Sequence, residues 1–111
     1  MAINYKAIAK KLKFEGRAFI NGKYVNAIDE KKFETINPAT GEKLCMVAKC
    51  NHKDVDFAVK VSRKAFNSGV WSRSSPEHRK EVLLKFADLL RKHGDENSVL
   101  ECVDTGKLIA D

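Results

Sequence analysis

The 111-residue chain contains no glutamine, a single tryptophan and two prolines. No apolar run approaches the ~18 residues that a helix needs to cross a bilayer. From Met1 to Lys13 there is no long apolar centre followed by a small-residue cleavage site, so no secretory signal is expected. Cysteine is scarce and odd in number: Cys45, Cys50 and Cys102. All three sit within apolar patterns, which fits buried, reduced thiols in a cytoplasmic protein better than a disulfide framework. Cys45 and Cys50 miss the Cys-x-x-Cys spacing of a zinc knuckle or redox pair. His52, His78 and His93 are dispersed, without a His-Glu-x-x-His pattern. The few glycines form neither a Gly-x-Ser-x-Gly elbow nor a Gly-x-Gly-x-x-Gly phosphate loop. Gly106-Lys107 fails as a P-loop ending, because Glu101 stands where the first glycine belongs. These absences leave no complete catalytic apparatus. By themselves the residues describe a soluble α/β chain.

What is plentiful is positive charge, at a formal +6. Most of the surplus lies before Cys50, and Lys6, Lys10, Lys11 and Lys13 supply much of it. Such a cluster reads first as the solvated face of a helix. Aromatic residues do not interleave with the lysines as a base-stacking platform requires, and the second half is nearly neutral. A nucleic-acid partner is therefore not expected. The narrow apolar face of this stretch argues equally against a membrane surface.

Along the chain, Tyr5, Ile8, Ala9 and Leu12 mark one face of a short helix over Asn4 to Lys13. Ala18-Phe19-Ile20 and Lys23-Tyr24-Val25 flank Asn21-Gly22, a strong hairpin signal because both turn residues tolerate positive φ. Phe33 to Ile36 reads as a strand that stops at Asn37-Pro38, with Thr40-Gly41 as the corner. Leu44 to Ala48 is nearly continuous in apolar character, which predicts a strand buried on both faces. Asn51 and Asp54 open a helix whose inner face is Val55, Ala58, Val59, Ser62, Ala65 and Phe66. It ends near Asn67 to Gly69, and Trp71 then anchors it to the next helix. Ser75-Pro76-Glu77 starts that second helix, with Val82, Leu83, Phe86, Leu89 and Leu90 as a buried stripe and Gly94 as the stop. Asp95 begins a third, which Thr105-Gly106 breaks. Leu108-Ile109-Ala110 opens a further apolar stretch. That uncapped ending is expected of the front of a longer protein whose later portion completes the core, so the isolated chain is expected to be marginally stable.

One ordered series stands out. Phe19-Ile20-Asn21-Gly22-Lys23-Tyr24-Val25 is followed by Phe33-Glu34-Thr35-Ile36-Asn37-Pro38-Ala39-Thr40-Gly41-Glu42. Asp54-Val55-Asp56, Trp71-Ser72, Ser75-Pro76 and Leu100-Glu101-Cys102-Val103-Asp104-Thr105-Gly106-Lys107 come after it. The series resembles the N-terminal part of the NAD(P)-dependent aldehyde dehydrogenase superfamily. The region from Trp71 to Ile109 and the basic leader are most similar to the branch acting on γ-glutamyl-γ-aminobutyraldehyde and related aminoaldehydes. The resemblance implies an α/β fold whose hairpins and helices belong to a Rossmann-like cofactor domain, incomplete in this chain. It divides the chain into a basic helical extension over 1–17, a β-hairpin segment over 18–50 and a helical segment of the cofactor domain over 51–111.

The family's members oxidise aldehydes to carboxylic acids with NAD or NADP through a cysteine thiohemiacetal, as homodimers or homotetramers of longer subunits. Their nucleophile lies in a Gly-Gln-x-Cys motif. Without a glutamine, Cys45, Cys50 and Cys102 cannot match it. No catalytic or cofactor-binding residue is therefore expected within this chain, and the chain alone is expected to be inactive. The resemblance does reach a monovalent-cation site, K+ or Na+, with oxygens of Thr35, Ile36 and Asp104 as ligands. Read without it, Thr35 is an ordinary strand residue and Asp104 caps a turn. The alternative for the whole chain is a naturally short, non-catalytic interaction module derived from that family.

Overall fold

The computed structural model describes residues 2–110. In chain order its elements are α1 (Tyr5–Lys11), β1 (Ala18–Ile20), β2 (Lys23–Val25), β3 (Lys32–Ile36), β4 (Lys43–Ala48), α2 (His52–Ser68), α3 (Pro76–Lys92) and α4 (Gly94–Thr105). They form an α/β arrangement of two antiparallel hairpins and four helices. Asn4 caps α1 by accepting from the Ala7 N–H at 3.0 Å, and Leu12 turns extended, so this helix stops short of the predicted Lys13. Asn21 and Gly22, at φ 57 and 76, supply the turn between β1 and β2. That turn sets Phe19 opposite Tyr24, their rings 5.2 Å apart in an edge contact.

The second hairpin is covered on one edge by the segment before β1. The Ala48 N–H donates to the Gly16 carbonyl at 2.7 Å. A side chain at position 16 would collide with the Met46 carbonyl oxygen, so only glycine lets the backbones approach this closely.

Strands and helices are joined at Asp54. Asn51 and Asp54 form a reciprocal capping box at the start of α2. One Asp54 oxygen accepts from the Asn51 N–H at 2.9 Å, and the other reaches the Ile28 N–H at 2.8 Å in the connection between β2 and β3. Asp54 and the neighbouring Ala27 are both only 3% exposed. The far end of α2 is closed by the loop after it. Ser72 donates to the Phe66 carbonyl at 2.7 Å, and the Arg73 guanidinium donates to the carbonyls of Asn67 and Ser68. Ser75 then caps α3, with Pro76 at its first turn as the sequence predicts. Between α3 and α4 only His93 breaks the helical run. Gly94 already belongs to α4, one residue earlier than the expected start at Asp95.

The apolar faces depart most from expectation. Among the described residues only Ala27 and Val99 are buried apolar positions. The stripe on α3 is exposed, from 39% at Val82 to 59% at Leu83. Val55, Val59 and Phe66 on α2 are open as well, and Trp71 is 44% exposed, in edge contact with His78 of α3. Leu44 to Ala48 is half-buried with Met46 exposed, not buried on both faces. Residues 106–108 have no regular structure and residues 109–110 form a turn. The periodicity is real, but no layer lies against it. The radius of gyration is 17.6 Å, against roughly 13 Å for a compact domain of this length. Fully burying a Leu or Phe side chain stabilises by ~1.5–3 kcal/mol. Five half-exposed side chains on α3 alone therefore forgo on the order of 5 kcal/mol, comparable to a small domain's entire stability.

Two outcomes follow for the isolated chain. Sedimentation should reveal self-association with strong binding of a hydrophobic dye; a monodisperse monomer with one sharp melt would contradict the open faces. The second concerns acid. Backbone N–H donors from Asn51, then Ile28, hold the Asp54 carboxyl below its ordinary 3.8. A depressed carboxyl contributes stability that is present above its unfolded value and lost as pH falls through the folded one. Asp54→Asn should thus lower stability at pH 7 and flatten its fall below pH ~4, as read by urea unfolding across pH. An unchanged acid profile would remove Asp54 as the joint.

Candidate functional site

The end of β3 and the end of α4 meet at one seam. Pro38 cannot donate to a ladder, so β3 must stop before it. Around it the chain closes on itself. The Asn37 N–H donates to the Glu42 carbonyl at 2.9 Å, and the Asn37 side chain accepts from the Ala39 N–H at 2.9 Å. Just before this turn the pairing slips. Thr35 faces Cys45 and Ile36 faces Lys43, so the register shifts between Thr35 and Ile36 and Leu44 has no opposite. Such an irregularity bends the strand and re-aims its groups.

On the other side, α4 ends in a left-handed Gly106 at φ 77, whose N–H donates to the Cys102 carbonyl at 2.9 Å. A Cβ at position 106 would stand 3.1 Å from the Pro38 ring, so the helix end and the strand-ending turn touch here. Thr35 Oγ1 donates to Asp104 Oδ1 at 3.2 Å, across 69 positions of sequence. Two of the predicted ligand residues are thereby in direct contact, and Ile36 adjoins them at the register shift.

The electrostatics of the seam are one-sided. Asp104 lies in the last turn of α4, where helix carbonyls already concentrate partial negative charge. No basic residue occupies that turn. Among the described residues Asp104 has no ion pair within 4.0 Å, and no group of three His, Cys, Asp or Glu side chains is placed to hold a metal. The Thr35–Asp104 contact itself offers oxygen donors with one carboxylate. That set suits a hard monovalent cation and not zinc, which prefers nitrogen and sulfur.

Thr35, Leu44, Cys45, Leu100 and Asp104 line an open depression of about 490 Å³, with Lys13 and Glu15 at its border. Sequence reading missed Cys45 and Leu100 here. Strand alternation pairs Cys45 with Thr35, but only the packing of α4 beside the hairpin brings Leu100 to them. The thiols are not buried as expected: Cys50 is exposed and Cys45 and Cys102 are half-buried. All three are free. Local desolvation pushes the Cys50 thiol up, and the Asp54 and Asp29 carboxylates push it further, the opposite of nucleophile activation. At the depression's rim, the Arg17 guanidinium and backbone N–H hold the Glu15 carboxyl down to about 2, so Glu15 is already neutralised by its neighbour.

Comparison with known proteins identifies the family. Residues 24–111 match the model of the aldehyde dehydrogenase family. Aminoacetaldehyde dehydrogenase of Pseudomonas aeruginosa is 45% identical over 105 residues, 95% of this chain and 21% of that protein. The crystal structure of γ-glutamyl-γ-aminobutyraldehyde dehydrogenase from Burkholderia cenocepacia superposes with a TM-score of 0.93 at 44% identity, covering 96% of this chain and 22% of its own. The same coverage and TM-score, at 43% identity, hold for the AldA indole-3-acetaldehyde dehydrogenase of P. syringae in complex with NAD+ and IAA. The chain thus spans about a fifth of the length of these relatives. Its hairpins and helices match the N-terminal region of these structures, and the chain belongs to the aldehyde dehydrogenase family.

Proposed function

We propose that this chain is the N-terminal portion of an enzyme that oxidises aldehydes to carboxylic acids with NAD+ or NADP+. The observation that carries the reading is the family match over residues 24–111 combined with coverage of only 21–22% of the relatives. Aminoaldehydes are the favoured substrate class, since two of the similar proteins are named for them. In this reading residues 1–17 are an extension, 18–50 a hairpin segment and 51–111 helices of the cofactor domain. The open stripes of α2 and α3 support it, because they are apolar faces built to receive further structure. The three free thiols suit the reducing cytoplasm. The complete subunit would assemble as a homodimer or homotetramer.

The residues here serve as scaffold, with no catalytic or cofactor-binding group among them. When bound, the nicotinamide cofactor accepts the hydride of the aldehyde. The contribution of this chain is to hold β3, β4 and α4 in register and to offer Thr35, Ile36 and Asp104 to a K+ or Na+ ion. Such an ion would offset the Asp104 carboxylate at the negative end of α4 and so brace the seam.

Two measurements test these statements. The purified chain should show no reduction of NAD+ with propionaldehyde or an aminoaldehyde, and activity should appear once the remaining family sequence is joined to it. Turnover by the chain alone would overturn the assignment of its residues to scaffold. For the cation, exchanging choline chloride for KCl at constant ionic strength should raise the melting temperature of that completed protein. Asp104→Asn should remove the rise, and Thr35→Val should reduce it. Equal melting in both salts would dismiss the cation.

A further inference from the structure

The first helix is held to the molecule in an unusual way. At seven residues α1 is far below the length at which a helix is stable alone, so it depends on its packing. That packing is against α4. None of its residues is buried. Ile8 and Leu12 meet Leu100 of α4 in a depression of about 540 Å³, which Lys11, Lys13 and Glu96 also line. The facing charges are complementary. Lys10 and Lys11 close α1 in its last turn, while Asp95 and Glu96 open α4 in its first. None of these lysines comes within 4.0 Å of a carboxylate among the described residues, so the attraction acts across solvent.

After α1 the chain runs on through Lys13, Phe14 and Glu15, which border the depression holding Thr35, Cys45 and Asp104. Gly16 then binds β4 through Ala48 and cannot move away freely. The strap is thus fixed at Gly16 and weakly held at its helical end.

We propose that residues 5–15 form a releasable strap, held on α4 with Lys11 and Glu96 attracting across solvent, whose release widens access to the depression that contains Cys45 and Asp104. Detaching a short, marginal element while its neighbours stay folded is local unfolding at the low end of a protein's stability range. A charge pair at a solvated surface commands little energy, and that small scale is what makes the strap sensitive to salt.

The native thiols supply the test. Iodoacetamide labelling of the full chain at pH 8 is followed by mass spectrometry. Trypsin cuts after Lys43, Lys49 and Lys53, which separates Cys45 from Cys50. Raising the salt concentration, Lys11→Glu or Glu96→Lys should each speed labelling of Cys45 by about two- to fivefold, the scale that a solvated charge attraction controls. The exposed Cys50 and the α4 residue Cys102 should change little. Combining Lys11→Glu with Glu96→Lys should return Cys45 to its original rate, although both changes oppose the helix dipoles. A Cys45 rate indifferent to salt and to both reversals overturns the proposal. So does an equal rise at all three cysteines, which would mean that the whole chain opens together.

Discussion

The buried carboxylate of Asp54 is the contact on which the arrangement of strands and helices depends. It satisfies the Asn51 N–H, an orphan donor at the start of α2, and the Ile28 N–H in the connection leading to β3. One ionised group thus fixes where the helical half begins relative to the strand half. A carboxylate with two backbone donors tolerates burial that would be costly if it were unpaired. Few apolar contacts share the task, because Ala27 beside it is one of only two buried apolar residues described. Polar connection holds this chain together where a core would ordinarily do so.

The second connection, between Thr35 and Asp104, is of another kind. It is exposed, its geometry rests on a slipped ladder, and it places a carboxylate at the negative pole of a helix. Each feature is a local cost that a cation or further protein would offset. Close approach of Gly106 to Pro38 keeps the two element ends together. Seam and open helix faces both support the proposed reading of the chain as a scaffold section of a larger aldehyde dehydrogenase.

Elements were legible in the sequence because their signals are local. Asn21-Gly22 favours positive φ, Ser75-Pro76 suits a helix start, and Gly106 ends one. The apolar stripes of α2 and α3 were equally legible as periodicity. Whether they are buried was not, since a period names the face of a helix but never what covers it. Trp71 and Met46 misled for the same reason: an apolar side chain reads as core even where no partner layer exists. Of the predicted ligand set, Thr35 and Asp104 are brought together across 69 residues. That pairing was legible only through family resemblance, because no spacing or pattern joins positions so far apart.

By itself, then, the sequence determined the order of hairpins and helices, their caps and turns, and the absence of a Gly-Gln-x-Cys nucleophile. These depend on backbone preferences within a few residues. Tertiary structure alone decided that Asp54 reaches Ile28, that Gly16 lies against β4, that α1 rests on α4, and that Cys45 shares a depression with Asp104. Contacts of that range arise from how elements dock, and docking follows from shape and charge summed over the whole fold.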